Sequence, residues 1–329
     1  MMLLSRTAAD LYWLGRNVER AESVSRLVGE HTNLLVDLPV ELDSDWGALL
    51  AVTGSQDGFA DRYPRVHESE VVLFLMADVG NPGSVMRSIS AARESLRIVR
   101  PLVPRSAWEC MNQLHIDAQH DISQCGPRSD RVLLTERILA SCQQFKGILS
   151  GTMSRDHAYR FWQLGQLVER ADMTARILDV GAGTLMAAAA PSGHPPADRS
   201  PYEDVRWLGV LRALAAHHMY HRSTGCPVSG PGVVEFLLSD PAFPRSVRHC
   251  TAQLERILLE LPNRPELGVA FGSLERIAAR GTVPADPATL HRQVVELQDS
   301  LGRLHAALAE AYFAASLQEG GVPTAAVGT

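Results

Sequence analysis

The sequence has no long hydrophobic run and no run of like charges, and each absence excludes a class of protein. No stretch approaches the roughly 18–20 apolar residues that a membrane span needs. Acidic residues number 37 against 31 basic ones, for a net charge of −6, and the basic residues form no stripe. Proteins that read nucleic-acid phosphates usually carry such a stripe. We therefore expect neither a nucleic-acid partner nor a membrane partner.

Cysteines are few and follow no disulfide or metal-binding pattern. The chain has five, and no two form a Cys-x-x-Cys pair: Cys110, Cys125, Cys142, Cys226 and Cys250. An odd, scattered set is typical of reduced thiols. The first six residues also lack the apolar core and cleavage signature of a signal peptide. We therefore expect a cytoplasmic protein.

The signatures of the common active sites are absent as well. There is no GxxxxGK[ST], no GxGxxG after a strand and no GxSxG nucleophile elbow. No Glu-x-x-His occurs either, although di-iron helical bundles use that spacing. These absences favour a chain that is not an enzyme by itself, and we expect no cofactor.

Two blocks of the sequence occur twice in the same order. The run Leu11–Glu22 returns 150 residues later as Phe161–Asp172, and both copies contain Gly-x-x-Val-Glu-Arg-Ala followed by an acid. A second block, Val71–Asp78, returns 162 residues later as Val233–Asp240. Single residues also recur between and after the blocks: Trp46 and Trp207, Pro82 and Pro244, Ser84 and Ser246, Val85 and Val247. The pattern predicts a tandem duplication.

Hydrophobic residues recur at helical spacing almost throughout the chain. In the first copy of the motif one helix face would carry Leu11, Leu14, Val18, Ala21 and Val28. We predict further helices over 84–100, 105–120, 130–150, 204–222, 245–261 and 289–318. The apolar run at 71–76 is the best strand candidate, but its leucine and methionine content favours a helix. The predicted class is all-α and bundle-like.

The predicted organisation is a single domain over about 1–318, made of two pseudo-symmetric tandem repeats. The first repeat covers about 1–155 and the second about 156–318. An Ala/Pro/Gly-rich stretch at about 187–200 is predicted to be a flexible insertion, and 319–329 a disordered tail. The tryptophans of the repeated segments are predicted core anchors: Trp13, Trp46, Trp162 and Trp207.

The duplicated charged residues are the candidates for a site. Each copy has two carboxylates three residues apart, hence on one helix face; with their arginines the candidates are Glu19, Arg20, Glu22, Glu169, Arg170 and Asp172. Gly15 and Gly165 precede the glutamates by four residues. A glycine inside a helix costs about 1 kcal/mol relative to alanine. Its presence twice suggests that another helix or a ligand approaches closely.

Three interpretations of these residues remain open. Glu22 and Asp172 can each pair with an arginine four residues later, which is a structural role. Glu169 has no basic residue within helical reach, so its partner must lie elsewhere, such as an arginine of the opposite copy. The set can be a structural helix crossing, a binding site or a catalytic acid–base pair, and the first is favoured. Secondary candidates are Arg6, Arg16, Arg26 and Arg176.

A histidine pair offers a weak metal alternative. His217 and His221 are spaced i,i+4, which would let both bind one ion. The first copy has no histidine in the corresponding segment. We favour a hydrogen-bonded or solvated helix face and expect no metal.

Three ordered motifs resemble those of the bacterial alpha-E domain family. They lie at Leu4–Glu22, Leu164–Asp179 and Val234–Arg248, so the resemblance covers nearly the whole chain. Gln166 stands where the family has an arginine, and Asn17 where an aromatic residue is common.

The resemblance implies a partner more than a reaction. Proteins of this kind are encoded beside, or fused to, a circularly permuted ATP-grasp ligase, and often near a transglutaminase-like protein. We therefore expect a non-catalytic helical component of an ATP-grasp-dependent system that forms peptide or amide bonds or modifies peptides. It would dock the ligase or present its substrate. The alternative is an enzyme that acts on an amino acid or peptide through its paired Glu and Arg residues.

Overall fold

The computed structural model describes residues 4–37, 46–123, 128–188, 203–262, 265–279 and 287–313. Over these ranges the chain is all-α, as predicted, and no β-strand occurs in them. No helix in the same ranges is both long and apolar enough to cross a membrane. The predicted insertion lies outside the described residues from 189 onward, and the predicted tail at 319–329 lies outside them entirely.

Two long helices that carry the repeated motif form the centre of the fold. Helix α1 is Ser5–Asp37, with 33 residues, and α8 is His157–Ala188, with 32. The two pack extensively on each other. Their buried faces include the apolar residues that recur at helical spacing in both copies of the motif.

The other helices surround this pair. After α1 come α2 (Trp46–Thr53), α3 (Gln56–Ala60), α4 (Glu68–Met76), α5 (Val85–Ile98), α6 (Arg105–Ser123) and α7 (Arg128–Thr152). After α8 come α9 (Glu203–Ala213), α10 (His217–Thr224), α11 (Gly230–Ser239), α12 (Val247–Glu260), α13 (Pro265–Ala278) and α14 (Pro287–Leu308). A 3₁₀ turn follows α5 at Arg100–Leu102, and a π-helical turn extends α14 at Ala309–Phe313. Helices α5 and α7 pack on α1, while α12 and α14 pack on α8.

The repeated glycines lie where α1 and α8 cross. A Cβ atom at Gly15 would collide with the backbone carbonyl oxygen of Trp162. A Cβ atom at Gly165 would collide with the carbonyl oxygen of Tyr12 and lie 2.8 Å from its carbonyl carbon. Because both obstacles are backbone atoms, no side-chain movement can relieve them. The close approach expected from the sequence is therefore made by another helix.

One predicted helix is interrupted. The segment 204–222 was expected to be continuous, but α9 ends at Ala213 and α10 begins at His217. Between them Ala215 has a φ of 51°, in the left-handed region, where an L-residue is strained by roughly 1–2 kcal/mol. The amide of Ala216 closes the end of α9 by donating to the carbonyl of Leu211 at 2.7 Å. Neighbouring residues are good helix formers, which is why the break was not predicted.

The remaining helix predictions are largely confirmed, but α2, α3 and α13 were not predicted. The run 71–76 lies in α4, which confirms the helix over the strand. Helix α3 was missed because it lies in a short polar stretch. Helix α13 was also missed, although its buried residues have helical spacing: Leu267, Phe271 and Leu274.

Three of the four predicted tryptophan anchors are buried, and one is not. Trp46, Trp162 and Trp207 are at most 7% exposed, but Trp13 is 37% exposed, so the prediction was wrong for that residue. The Trp13 ring lies at the surface of α1, with its centroid 5.4 Å from that of His305.

We predict that Gly165→Ala destabilises the protein by about 3 kcal/mol, since overpacking a rigid contact typically costs 1–3 kcal/mol or somewhat more. Urea unfolding would measure the loss. The matched control is Gly147→Ala, because this exposed helical glycine has nothing within 4 Å of an added Cβ. That variant should gain up to about 1 kcal/mol. Equal effects of the two substitutions would contradict the tight crossing.

Candidate functional site

Glu19 lies fully buried in a dense ionic cluster. Its carboxylate accepts hydrogen bonds from Arg170 at 2.9 and 3.0 Å and from Arg245 at 2.9 Å. The ammonium of Lys146 lies 3.0 Å away, and the Gln166 amide donates at 3.3 Å. Burial by itself would raise the pKa of Glu19, but the surrounding cations hold that pKa well below its usual range. Glu19 is therefore ionised.

Glu22 extends this cluster by one helical turn. It accepts a hydrogen bond from Arg26 at 2.8 Å and one from Arg245 at 2.7 Å, and it contacts the ammonium of Lys146. One guanidinium thus bridges two carboxylates, because Arg245 donates through Nη1 to Glu19 and through Nη2 to Glu22. Burial and the charge of Glu19 raise the pKa of Glu22, but its cations outweigh them and lower it. We call these residues the Glu19 cluster: Glu19, Glu22, Arg26, Lys146, Gln166, Arg170 and Arg245.

Glu169 obtains its partners from α1. It accepts from Arg16 Nε at 2.6 Å, and from Arg20 Nε and Nη2 at 2.6 and 2.9 Å. Glu169 is 2% exposed, and burial alone would raise its pKa. The two arginines more than offset burial and lower the pKa. The basic partner that Glu169 lacks on its own helix is therefore supplied by the opposite copy of the motif.

The pairing between the two copies is reciprocal. Glu19 of α1 binds Arg170 of α8, and Glu169 of α8 binds Arg20 of α1. Arg16 lies three residues before Glu19 on α1, yet it pairs with Glu169 across the crossing. Of the charged candidates on α1 and α8, only Arg6 lies apart from these ion pairs, because its side chain is exposed near the start of α1.

Asp172 is less well compensated than its counterpart Glu22. Its one ion pair is with Arg176, at 2.9 Å, among the residues that the structure describes. Burial raises the pKa of Asp172, and the charge of Arg176 does not fully offset it. We call this second set the Glu169 cluster: Arg16, Arg20, Glu169, Asp172 and Arg176.

An open cavity of about 510 Å³ lies against the Glu169 cluster. All five residues of the cluster line it, together with Asp61 and Arg62. The other lining residues come from the end of α2 and the start of α3, from the segment before α5, and from α1, α4 and α8: Thr53, Gly54, Ser55 and Gly58, then 80–83, then Val24, Phe74 and Met173. Arg62 is neutralised by Asp78, to which it donates at 2.8 and 2.9 Å. The volume lies within the range of small-molecule sites, roughly 300–1,000 Å³. We call it the Glu169 cavity.

The histidine pair has no further ligand in the described part of the chain. His217 and His221 lie on α10 with their Nε2 atoms 3.1 Å apart. No group of three or more His, Cys, Asp or Glu side chains that could hold a metal occurs among the described residues. The two imidazoles are within hydrogen-bonding distance of each other on α10.

Sequence reasoning missed Lys146, Arg245 and the cavity. The sequence does single out Lys146, because it is the only lysine in a chain with 30 arginines. The sequence also marks Arg245, since it follows Pro244 in the repeated segment before Ser246. No feature of the sequence indicates the cavity, because it depends on how loops from distant parts of the chain meet.

A helical fold with Glu-Arg pairs at its central helix crossing matches the description of one protein family. The chain belongs to the Alpha-E family, described as a predicted alpha-helical domain with a conserved ER motif, and matches it over residues 3–313. Glu-Arg occurs five times in this chain, at 19–20, 136–137, 169–170, 255–256 and 275–276. The glutamate is buried only at Glu19 and Glu169. These two pairs are therefore the ones with a distinctive structural environment.

The chain is also similar to two mycobacterial proteins described as uncharacterised. It is 25% identical to one from Mycobacterium bovis over 278 residues, which is 79% of this chain and 30% of that protein. The same figures hold for one from Mycobacterium tuberculosis. The chain thus spans less than a third of the length of these curated relatives. No solved structure matches it significantly.

We predict that Glu19→Gln destabilises the protein by about 3–5 kcal/mol, because it leaves buried cations without their main counter-charge. Glu169→Gln should cost less, since Arg16 and Arg20 can be solvated through the cavity. Urea unfolding of both variants at neutral pH provides the comparison. Equal losses would contradict the distinction between an enclosed and an open cluster.

Lowering the pH should destabilise the fold, because acid protonates the carboxylate of Glu19. A carboxyl group whose pKa is lower in the folded than in the unfolded state stabilises the fold above its unfolded pKa of about 4.3. That stabilisation is lost as the pH falls towards the folded pKa. We expect the free energy of unfolding to fall more steeply between about pH 6 and pH 3 in the wild type than in Glu19→Gln. Parallel curves would show that Glu19 does not contribute to acid sensitivity.

Proposed function

We propose that this chain is a non-catalytic helical component of an ATP-grasp-dependent system that forms peptide or amide bonds or modifies peptides. In this proposal the chain presents a small substrate to a circularly permuted ATP-grasp ligase and docks that ligase. A transglutaminase-like protein is a second candidate partner, and the expected location is the cytoplasm. The observation that carries the proposal is the Glu169 cavity, where charged side chains line a space open to a small polar molecule.

The chemistry of the cavity supports binding more than catalysis. Glu169 is held by two arginines that lower its pKa, and a carboxylate stabilised in this way is a weak general base. No histidine or cysteine occurs among the described residues that line the cavity. The alternative, an enzyme that uses its paired Glu and Arg residues on an amino acid or peptide, would need a stronger base at this place.

The matched relatives are much longer than this chain, which supports a role of the helical domain beside another protein. The matched region makes up 30% of the mycobacterial proteins, so there the helical domain is accompanied by a longer stretch of other sequence. The ligase as that companion rests on the family resemblance alone.

We also propose that the domain consists of two tandem copies of one helical unit, about 1–155 and about 156–318. The order of helices α1–α7 agrees with that of α8–α14. Equivalent positions support the match: Ser84 and Ser246 are N-caps whose side chains accept a backbone amide, and Gly54 and Ala215 both have left-handed φ values.

The proposal is tested by reconstitution. The purified chain is incubated alone, and then with the ligase, ATP and amino acids, and products are identified by mass spectrometry. We expect no product from the chain alone and more product from the ligase when the chain is present. Product from the chain alone would favour the enzyme alternative. A ligase that is equally active without the chain would contradict the proposal.

A second measurement separates a working cavity from a structural one. If Glu169→Gln keeps the melting temperature but abolishes the product of the system, the Glu169 cluster contributes to function. If the product falls only in proportion to the folded protein, its role is structural. Glu136→Gln is the matched control, because it also changes a Glu-Arg pair but at an exposed position.

A further inference from the structure

The Glu19 cluster is filled with side chains, whereas the Glu169 cluster lies against a cavity. The motif residues correspond at a spacing of 150, which pairs Glu22 with Asp172 and Arg26 with Arg176. The filled cluster therefore shows which groups satisfy this arrangement of charges when it is complete. The open cluster shows which of those groups are missing.

The first missing group is the guanidinium that bridges the two carboxylates. The spacing of 162 residues that relates Ser84 to Ser246 places Gly83 opposite Arg245. Gly83 lines the Glu169 cavity. The position from which Arg245 reaches Glu19 and Glu22 thus carries no side chain in the other copy.

The second missing group is the ammonium of Lys146. Buried residues of α7 and α14 match at a spacing of 159, with pairs such as Phe145 and Leu304 or Leu149 and Leu308. This spacing places His305 opposite Lys146. His305 is turned to Tyr12, with 2.8 Å between Nδ1 and the hydroxyl oxygen, and burial lowers its pKa. It therefore supplies no fixed positive charge.

One cation is gained in exchange, because Arg16 stands where the other copy has Gln166. In the Glu19 cluster Arg26, Lys146, Arg170 and Arg245 face two carboxylates. In the Glu169 cluster Arg16, Arg20 and Arg176 face two, and Asp61 adds a further negative charge to the cavity wall. Asp172 is the carboxylate of this cluster with fewer cations beside it, because Arg176 is its one ion-pair partner within the described ranges.

We propose that the Glu169 cavity binds a basic amino acid, free or at the C-terminus of a peptide, whose guanidinium or ammonium group lies against Asp172 where Arg245 lies against Glu22. The proposal deepens the function proposed above and rests on it only for the role of the ligand as substrate. The Glu19 cluster supports this assignment, because four cations lie beside two carboxylates there.

The carboxylate of the ligand has its own candidates in the cavity. Arg20 uses Nε and Nη2 for Glu169, and Arg176 uses Nε for Asp172. Their remaining terminal nitrogens donate no hydrogen bond to any described residue. Both side chains are partly exposed, at 21% and 31%. Guanidinium groups of this kind hold carboxylates through paired hydrogen bonds.

Calorimetric titration of the full chain with four ligands tests the proposal without any ligase. L-Arginine should bind, and L-citrulline, which has nearly the same shape but no positive charge, should bind at least tenfold more weakly. Agmatine, which lacks the carboxylate, should also bind more weakly than L-arginine. The dipeptide glycyl-L-arginine distinguishes the sources: tighter binding than L-arginine indicates a peptide end, and weaker binding indicates a free amino acid.

Substitutions locate the binding site. Gly83→Arg rebuilds the missing side chain, and an added Cβ there meets no atom closer than 3.4 Å, so the variant should fold. It should weaken L-arginine binding at least tenfold. Gly147→Arg, which adds the same side chain at an exposed position that does not line the cavity, should leave binding within about twofold. Asp172→Asn should weaken binding of L-arginine more than binding of L-citrulline.

Three results would overturn the proposal: no binding of L-arginine at about 10 mM, equal binding of L-citrulline, or unchanged binding to a folded Gly83→Arg variant. If L-arginine does not bind, reconstitution with the ligase is still a valid test of the proposed function, since that experiment does not depend on which molecule binds. Conversely, L-arginine binding by a chain that has no effect on the ligase would contradict the proposed function alone.

Discussion

The structure depends on the backbone contact between α1 and α8 at Gly15 and Gly165. Two helices of more than thirty residues each can approach this closely only because neither has a side chain at the crossing. The approach brings each glutamate, one turn further along, within reach of the arginine on the other helix. The same two residues therefore set both the packing of the core and the position of the buried charges. An isolated glutamate at that depth would be strongly destabilising without this exchange of partners.

Much of the fold could be predicted because helical periodicity is a local property of the sequence. The helix at 71–76 was predicted correctly from its side chains, although a short apolar run has no decisive period. The break at Ala215 could not be predicted, because only tertiary packing holds an alanine in the left-handed region. Trp13 was misassigned for a related reason: its motif position is equivalent to that of Gln163 and not to that of the buried Trp162.

The site was predictable to the extent that the recurring sequence motif marks it. Glu169 lacks a local partner, and that fact alone required a basic group from elsewhere in the fold. Which groups surround Glu19 could not be deduced, because Lys146 and Arg245 come from helices and loops far away in sequence. Two copies of one motif have thus acquired different surroundings. One is closed by the chain's own side chains, and the other lies against an open cavity.

The single lysine of the chain has a practical consequence for work on its partners. Lys146 is 14% exposed and engaged with two carboxylates, so reagents that acylate side-chain amines have little to react with. Cross-linkers of that chemistry would leave a bound partner uncaptured even in a stable complex. Coupling through carboxyl groups suits this surface better, because acidic residues such as Glu136 and Glu255 are exposed. Because the only lysine of the sequence lies in this cluster, the surface of the described residues carries its fixed positive charge on arginine.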